Sequence, residues 1–301
     1  MALAILWRIW GDLIPVLAGL VPVAVFVIFS CWDRQQEKKR TQSPQREKLL
    51  RPPGRSLSIK LDELVDKAMT ELLLACGLCC LAAAGIEVAV KISGFWFIAF
   101  GLMGLVFGVG GAYLTVLVAR DVRRCQNVRL GLRGEQAVAE ALQEVADCGY
   151  RAFHDFPGGE NWNIDHVVVG PPGVFLIETK ARSRMRPRRG QEQPAHYVHV
   201  FEDRLQFPSG QDRTAIPQVE RNAKWLADHL TKKTGENVEI EALVVLPGWF
   251  CDVKQPPPKG TSVMNATYLK GHLRRQPPRL PDAQMRRIIA ALDEKCRDVE
   301  F

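Results

Sequence analysis

The sequence predicts an α/β domain preceded by an α-helical transmembrane region, and three observations carry that reading. Long apolar runs with few charges fill most of the first 119 residues, whereas the remainder has the composition of a soluble protein. Two β-branched and aromatic runs flank Gly170-Pro171-Pro172-Gly173, the pattern of a hairpin. Segments of helical periodicity lie before and after that hairpin, as a mixed α/β order requires.

The first apolar run, Leu13–Trp32, carries no charge. At about 1.5 Å per residue it spans a hydrocarbon core of about 30 Å. It is long for a cleaved signal peptide, and no small-x-small cleavage signal follows it. Leu72–Val90 is a second run, broken only by Glu87, and Phe95–Ala119 is a third. Gly101, Gly104, Gly108, Gly110 and Gly111 crowd the third run. Small residues at that density let helices approach closely in lipid, and they admit a homo-oligomer through the transmembrane helices. The short link Lys91-Ile92-Ser93-Gly94 makes the second and third helices a hairpin. Glu87 has two readings, a functional polar group within the bilayer or a side chain snorkelling to the outer headgroups.

Orientation follows from the basic residues. Arg34, Lys38, Lys39, Arg40, Arg46, Lys48, Arg51, Arg55 and Lys60 lie between the first two runs, and Arg120, Arg123, Arg124 and Arg129 follow the third. By the positive-inside rule the N-terminus faces out and the C-terminal domain is cytoplasmic. The lipid bilayer so occupied is expected to be a bacterial inner membrane. The layout is therefore a transmembrane helix in 1–32, a basic cytoplasmic linker in 33–70, a transmembrane hairpin in 71–119 and a soluble domain in 120–301. Within the linker, Asp33–Gly54 reads as flexible and Ser56–Thr70 as a short helix on the membrane surface.

Forty Lys and Arg against 33 Asp and Glu give a formal charge of +7. That balance permits contact with nucleic acid or anionic lipid and establishes neither. The eight cysteines divide between the apolar segments and scattered positions in the soluble part, where no paired CxxC is available for zinc. They read as reduced thiols.

The chemistry lies in the hairpin. Pairing symmetric about Pro171–Pro172 sets Gly170 opposite Gly173 and therefore Asp165 opposite Glu178. Opposed side chains share a face with Cβ atoms about 5 Å apart, and period-two alternation brings Lys180 to that face. A second proline in the turn also admits a wider loop, which keeps the register if it widens symmetrically. Two carboxylates suit a hard divalent cation, Mg²⁺ or Mn²⁺, which activates water against a phosphate. Lys180 is placed to orient that water or to neutralise developing charge. The plainer reading is a solvated Asp at a strand start and a Glu–Lys pair at a strand exit. Val167, Val169, Phe175 and Ile177, as the marks of a buried hairpin, favour the site.

The string from Asn163 to Arg182, preceded by Gly134–Leu142, resembles the nuclease-related domain family of the PD-(D/E)XK endonuclease superfamily. The resemblance covers about 130–275, and its specific part is the Asp-to-Lys hairpin. It implies a restriction-endonuclease-like mixed β-sheet flanked by helices, with Asp165, Glu178 and Lys180 as acid, acid and lysine. It also implies that Glu135, on the first core helix, joins the metal site, and that Gln218, on the helix after the hairpin, approaches it. For Gln218 a surface or helix N-terminal role stays open.

Helical spacing puts Val138, Leu142 and Val145 on one stripe and Val219, Ala223 and Leu226 on another. Glu239–Pro247 and Thr261–Asn265 read as strands, and Asp282–Arg297 as a closing helix. Arg182, Arg184, Arg186, Arg188 and Arg189 follow the lysine as a solvated loop or as contacts to a nucleic-acid backbone. Nothing in the run suggests base stacking or sequence readout. His166 alternates to the opposite face and reads as structural. The leading expectation is a membrane-anchored, metal-dependent nuclease acting on DNA or RNA. The other is a catalytically inactive, membrane-tethered module that binds nucleic acid or recruits partners.

Overall fold

A computed structural model describes residues 48–91, 95–159, 162–184 and 196–299. The expected first membrane helix and the residues Arg186, Arg188 and Arg189 lie outside the described residues. In chain order the elements are β1 (Leu49–Leu50), α1 (Arg55–Lys91), α2 (Phe95–Gln143), β2 (Arg151–Gly159), β3 (Trp162–Gly170), β4 (Gly173–Thr179), β5 (Tyr197–Val200), β6 (Leu205–Phe207) and β7 (Gly210–Asp212). There follow α3 (Ala215–Thr234), β8 (Ile240–Val245), β9 (Phe250–Val253), β10 (Thr261–Met264), α4 (Ala266–Arg275), α5 (Asp282–Cys296) and β11 (Arg297–Val299). The described residues divide into two compact units, one within Leu61–Gln126 and one of residues 48–60 with those after Gln126.

In the first unit α1 and α2 meet through small residues. A Cβ on Gly85 would stand 3.2 Å from the Gly104 Cα, and one on Gly104 would stand 3.2 Å from the Ala82 carbonyl oxygen. A side chain at either position would crowd the facing helix, so glycine eases this approach. Leu74, Val90, Phe95, Trp96, Leu105 and Val106 remain exposed on the outside. Both helices are long and apolar enough to cross a membrane, by length and composition. Glu87 is exposed and pairs with Lys91 at 2.9 Å. The buried Asp121 accepts from Lys67 at 2.7 Å and Arg124 at 2.9 Å.

Two boundaries differ from the sequence reading. The expected helix end at Ala119 does not occur, because residues 120–133 include no proline and many good helix formers; the third apolar run and the helix carrying Glu135 are one element. Residues 48–60 are not a flexible linker followed by a separate surface helix. Leu49–Leu50 pairs antiparallel with β11, and Ser56–Thr70 belongs to the continuous α1.

The second unit is built on a five-stranded mixed sheet of order β10-β8-β4-β3-β2. The β2–β3 and β3–β4 pairs are antiparallel, and β4–β8 and β8–β10 are parallel. A four-stranded sheet of order β7-β6-β5-β9 stands beside it. Both faces of the central strands are covered, so Val174–Ile177 is buried throughout. On one face Val167, Val169, Val174 and Leu176 join Val219, Leu226 and Leu230 of α3 and Ile288 and Leu292 of α5. On the other, Val168, Phe175 and Ile177 join Val138 and Leu142 of α2 and Leu269 and Leu273 of α4. The expected mixed sheet flanked by helices is thus present.

Candidate active site

The hairpin has the register the sequence dictates. Gly170 pairs with Gly173 and His166 with Ile177, so the next step sets Asp165 against Glu178. The turn holds two residues, and the Pro171 carbonyl accepts from the amides of Arg279 and Leu280, both at 2.9 Å. Where the ladder ends, the Asp165 carboxylate replaces a backbone acceptor and takes the Thr179 amide at 2.7 Å. On the parallel side Glu178 pairs with Val244 of β8. The Lys180 amide donates to the Val245 carbonyl at 2.9 Å, which keeps the lysine in extended register past the strand end.

Two side chains then close on one oxygen of Glu178. Lys180 Nζ donates to Glu178 Oε1 at 2.8 Å and to Gln218 Oε1 at 3.0 Å. Gln218 Nε2 donates to the same Glu178 Oε1 at 2.7 Å. Gln218 comes from the first turn of α3, whose N-terminus is capped by Asp212 accepting from Thr214 and Ala215. The site therefore gathers Glu178, Lys180 and Gln218 directly, with Asp165 across the hairpin.

Glu135 arrives from α2, and it is 5 % exposed. Burial, with Asp155 and Glu178 nearby, pushes its pKa up to about 7, against a backbone hydrogen bond from Gly54. Asp165 is raised well above the ordinary carboxylate range by burial and then by Glu178 and Glu135. Burial also raises Glu178, opposed by Lys180 and Gln218. Three carboxyl groups that perturb one another in a partly dry site store repulsion that a cation relieves. Among the described residues, no group of three or more His, Cys, Asp or Glu side chains already stands at metal-holding spacing. The donor chemistry nevertheless fits a hard cation. Glu135 Oε2 and Glu178 Oε2 are buried without a hydrogen-bond partner, and all the donors are oxygen.

Asp155 is a residue that the sequence reading passed over. Between the pairs His154–His166 and Phe156–Ile164 the ladder is interrupted, and Asp155 adopts φ 49°, rare for a side chain other than glycine. Regular pairing there would set it against Asp165, a like-charge opposition. Instead its carboxylate accepts from Arg51, Ser56 and Asn163. The signal was weak: a lone Asp in a segment with Pro157, Gly158 and Gly159 reads as loop.

Of the basic run, Arg182 is engaged with Asp212 at 3.1 Å and lies 4.5 Å above the Phe207 ring. Arg184 is exposed and lies beside Gly248. His166 is fully buried and shares a 2.8 Å Nδ1–Nδ1 hydrogen bond with His154. Its role is structural.

Residues 130–247 match the family model described as the nuclease-related domain. This part of the chain is a nuclease-related domain. Among curated proteins and among solved structures, no match is found. The matched range begins on α2 ahead of Glu135 and ends just after β8. The whole acid–acid–lysine–glutamine constellation thus falls within the nuclease-related domain, whereas β9, β10, α4, α5 and β11 of the same unit lie beyond it.

Proposed function

We propose that the chain is a membrane-anchored, divalent-metal-dependent nuclease that hydrolyses phosphodiester bonds of DNA or RNA at the cytoplasmic face. The observation that carries this reading is the convergence of Asp165, Glu178, Lys180 and Gln218, with Glu135 and Glu178 each keeping a buried carboxylate oxygen unpartnered. Asp165, Glu178 and Glu135 would hold Mg²⁺ or Mn²⁺. Such a cation lowers the pKa of water and offsets charge on phosphate. Lys180 is held by Glu178 and Gln218 near the carboxylates, where it orients the attacking water or neutralises charge in the transition state. Water adds to phosphorus as the P–O bond to the leaving sugar breaks. Arg184, with Arg186, Arg188 and Arg189 that follow it in sequence, supplies charge for the flanking backbone.

The two apolar helices and the basic residues that flank them support membrane anchoring with the soluble unit inside. The test uses the full chain in detergent micelles with supercoiled, linear and single-stranded DNA and with RNA, in Mg²⁺ or Mn²⁺. Cleavage that Asp165→Ala and Lys180→Ala both lose supports the nuclease. No cleavage by a folded chain, or equal cleavage by the variants, overturns it in favour of a tethered binding module.

A further inference from the structure

We infer that the cleft beside Gln218 is a pocket for one unpaired nucleobase, so that the strand presented to the carboxylates is single-stranded; this rests on the nuclease reading above. The cleft, about 420 Å³, is lined by Trp162, Asn163, Gln218, Arg221, Asn222 and Trp225. Four of these fall on α3 at spacings of three and four residues, which makes them one continuous face. The Gln218 end of that face is the end that holds Glu178 and Lys180. A ligand in the cleft is therefore a direct neighbour of the reacting group.

The lining has the chemistry of base recognition. Trp162 is 38 % exposed at the start of β3, and its indole occupies the space that a side chain at Gly158 or Gly159 would need, within 2.3 Å and 2.8 Å. Trp225 stands edge-on to it, with ring centroids 4.9 Å apart. Trp225 is itself backed by His229, stacked at 5.1 Å, and by Lys295 Nζ at 4.6 Å. Trp225 is thus a fixed wall, and Trp162 offers the free aromatic surface on which a base can stack.

The amides supply the polar edge. Asn163 Nδ2 is tied to Asp155 at 2.6 Å, which leaves its carbonyl oxygen as an acceptor. Asn222 is 6 % exposed and lines the cleft. Asn222 can both donate to and accept from a base edge. Arg221 adds a cation at the rim. A paired base is stacked on both faces and hydrogen-bonded on its Watson–Crick edge, so this lining is useful only to an unpaired one.

The experiment is equilibrium binding by fluorescence anisotropy with the full chain in detergent micelles and EDTA. The probes are labelled oligothymidylate, oligouridylate and a blunt DNA duplex of the same length. Both single strands are expected to bind more tightly than the duplex. Trp162→Ala is expected to weaken single-strand binding about tenfold and to leave duplex binding unchanged, while Trp162→Phe retains most of the affinity. Asn222→Ala is expected to weaken the single strands without moving the unfolding midpoint. Equal affinity for duplex and single strand, or parallel losses on both with Trp162→Ala, overturns the pocket. If Trp162→Ala unfolds the chain, photocrosslinking of a bromouridine oligomer to wild-type protein decides: attachment at Trp162 or Trp225 supports the pocket, and attachment elsewhere overturns it. Selective binding without cleavage in Mg²⁺ or Mn²⁺ would leave the pocket standing and remove the nuclease. Cleavage without single-strand selectivity would do the reverse.

Discussion

Gln218 donates at 2.7 Å to the very oxygen of Glu178 that Lys180 holds at 2.8 Å. Its own carbonyl accepts from that lysine at 3.0 Å. The glutamine therefore acts as a spacer between two charged groups, fixing where the ammonium stands. Gln218→Ala is expected to lower the cleavage rate by about 10–100-fold, the range for loss of an outer-shell partner, and to leave the unfolding midpoint in place. A fall in rate equal to that of Lys180→Ala would instead make Gln218 part of the reacting set.

The unpartnered oxygens of Glu135 and Glu178 predict a stability response to cations. Mg²⁺ or Mn²⁺ at about 100 times its dissociation constant should stabilise the second unit by about 2.7 kcal/mol, read as a rise in its melting temperature that EDTA reverses. Glu135→Gln should raise the melting temperature of cation-free protein, because it removes one of the repelling carboxyl groups, and should shrink the cation-induced rise. A cation response that survives both Glu135→Gln and Asp165→Ala would place the ion elsewhere.

The strongest local patterns were legible in the sequence and the discontinuous ones were not. The hairpin register could be read because the Val167–Val169 and Val174–Ile177 runs are symmetric about Pro171–Pro172, and a two-residue turn fixes the pairing. The Val138, Leu142 and Val145 stripe and the inward face of α3 followed from helical period alone. By contrast, β2 was hidden by Pro157, Gly158 and Gly159, tolerated because β2 is an edge strand. The short strands of the second sheet gave no readable period. Nor does anything in the local composition of Leu49-Leu50 announce a partner at Arg297–Val299. The aromatic cleft has no sequence signature because Trp162 and Trp225 lie in separate elements.

Arg51 joins the segment ahead of α1 to the domain. Its guanidinium donates to the Asp155 carboxylate at 3.1 Å and backbone carbonyl at 3.0 Å, and it also binds Asp298. Asp155 is buried, so Arg51→Ala leaves a carboxylate short of its cation away from water. The expected loss is about 3 kcal/mol, at the lower end for breaking a buried pair, since Ser56 and Asn163 remain. Chemical denaturation of the full chain followed on the second unit measures it. A loss within the range of an exposed pair, below about 1 kcal/mol, would show that β1 is not part of the folded unit.

His154 and His166 give the fold an acid limit. Burial pushes His154 down to about 4, and burial together with His154 depresses His166. Their shared Nδ1–Nδ1 hydrogen bond requires one ring to donate and the other to accept, which a doubly protonated pair cannot do. The unfolded chain takes up protons near the ordinary histidine value of about 6.5, whereas the folded chain does not. Stability from this pair is therefore complete above about pH 6.5 and falls as pH drops toward 4, by about 3 kcal/mol for His154 alone. The raised carboxyl groups act in the opposite direction, gaining stability as pH falls, so the histidine contribution must be isolated by difference. His154→Gln compared with wild type, by unfolding midpoint across pH 4 to 7.5, should be relatively less stable at the high end and should lose less toward the low end. Parallel pH curves for the two proteins would mean that the pair is already charged or solvated in the folded state.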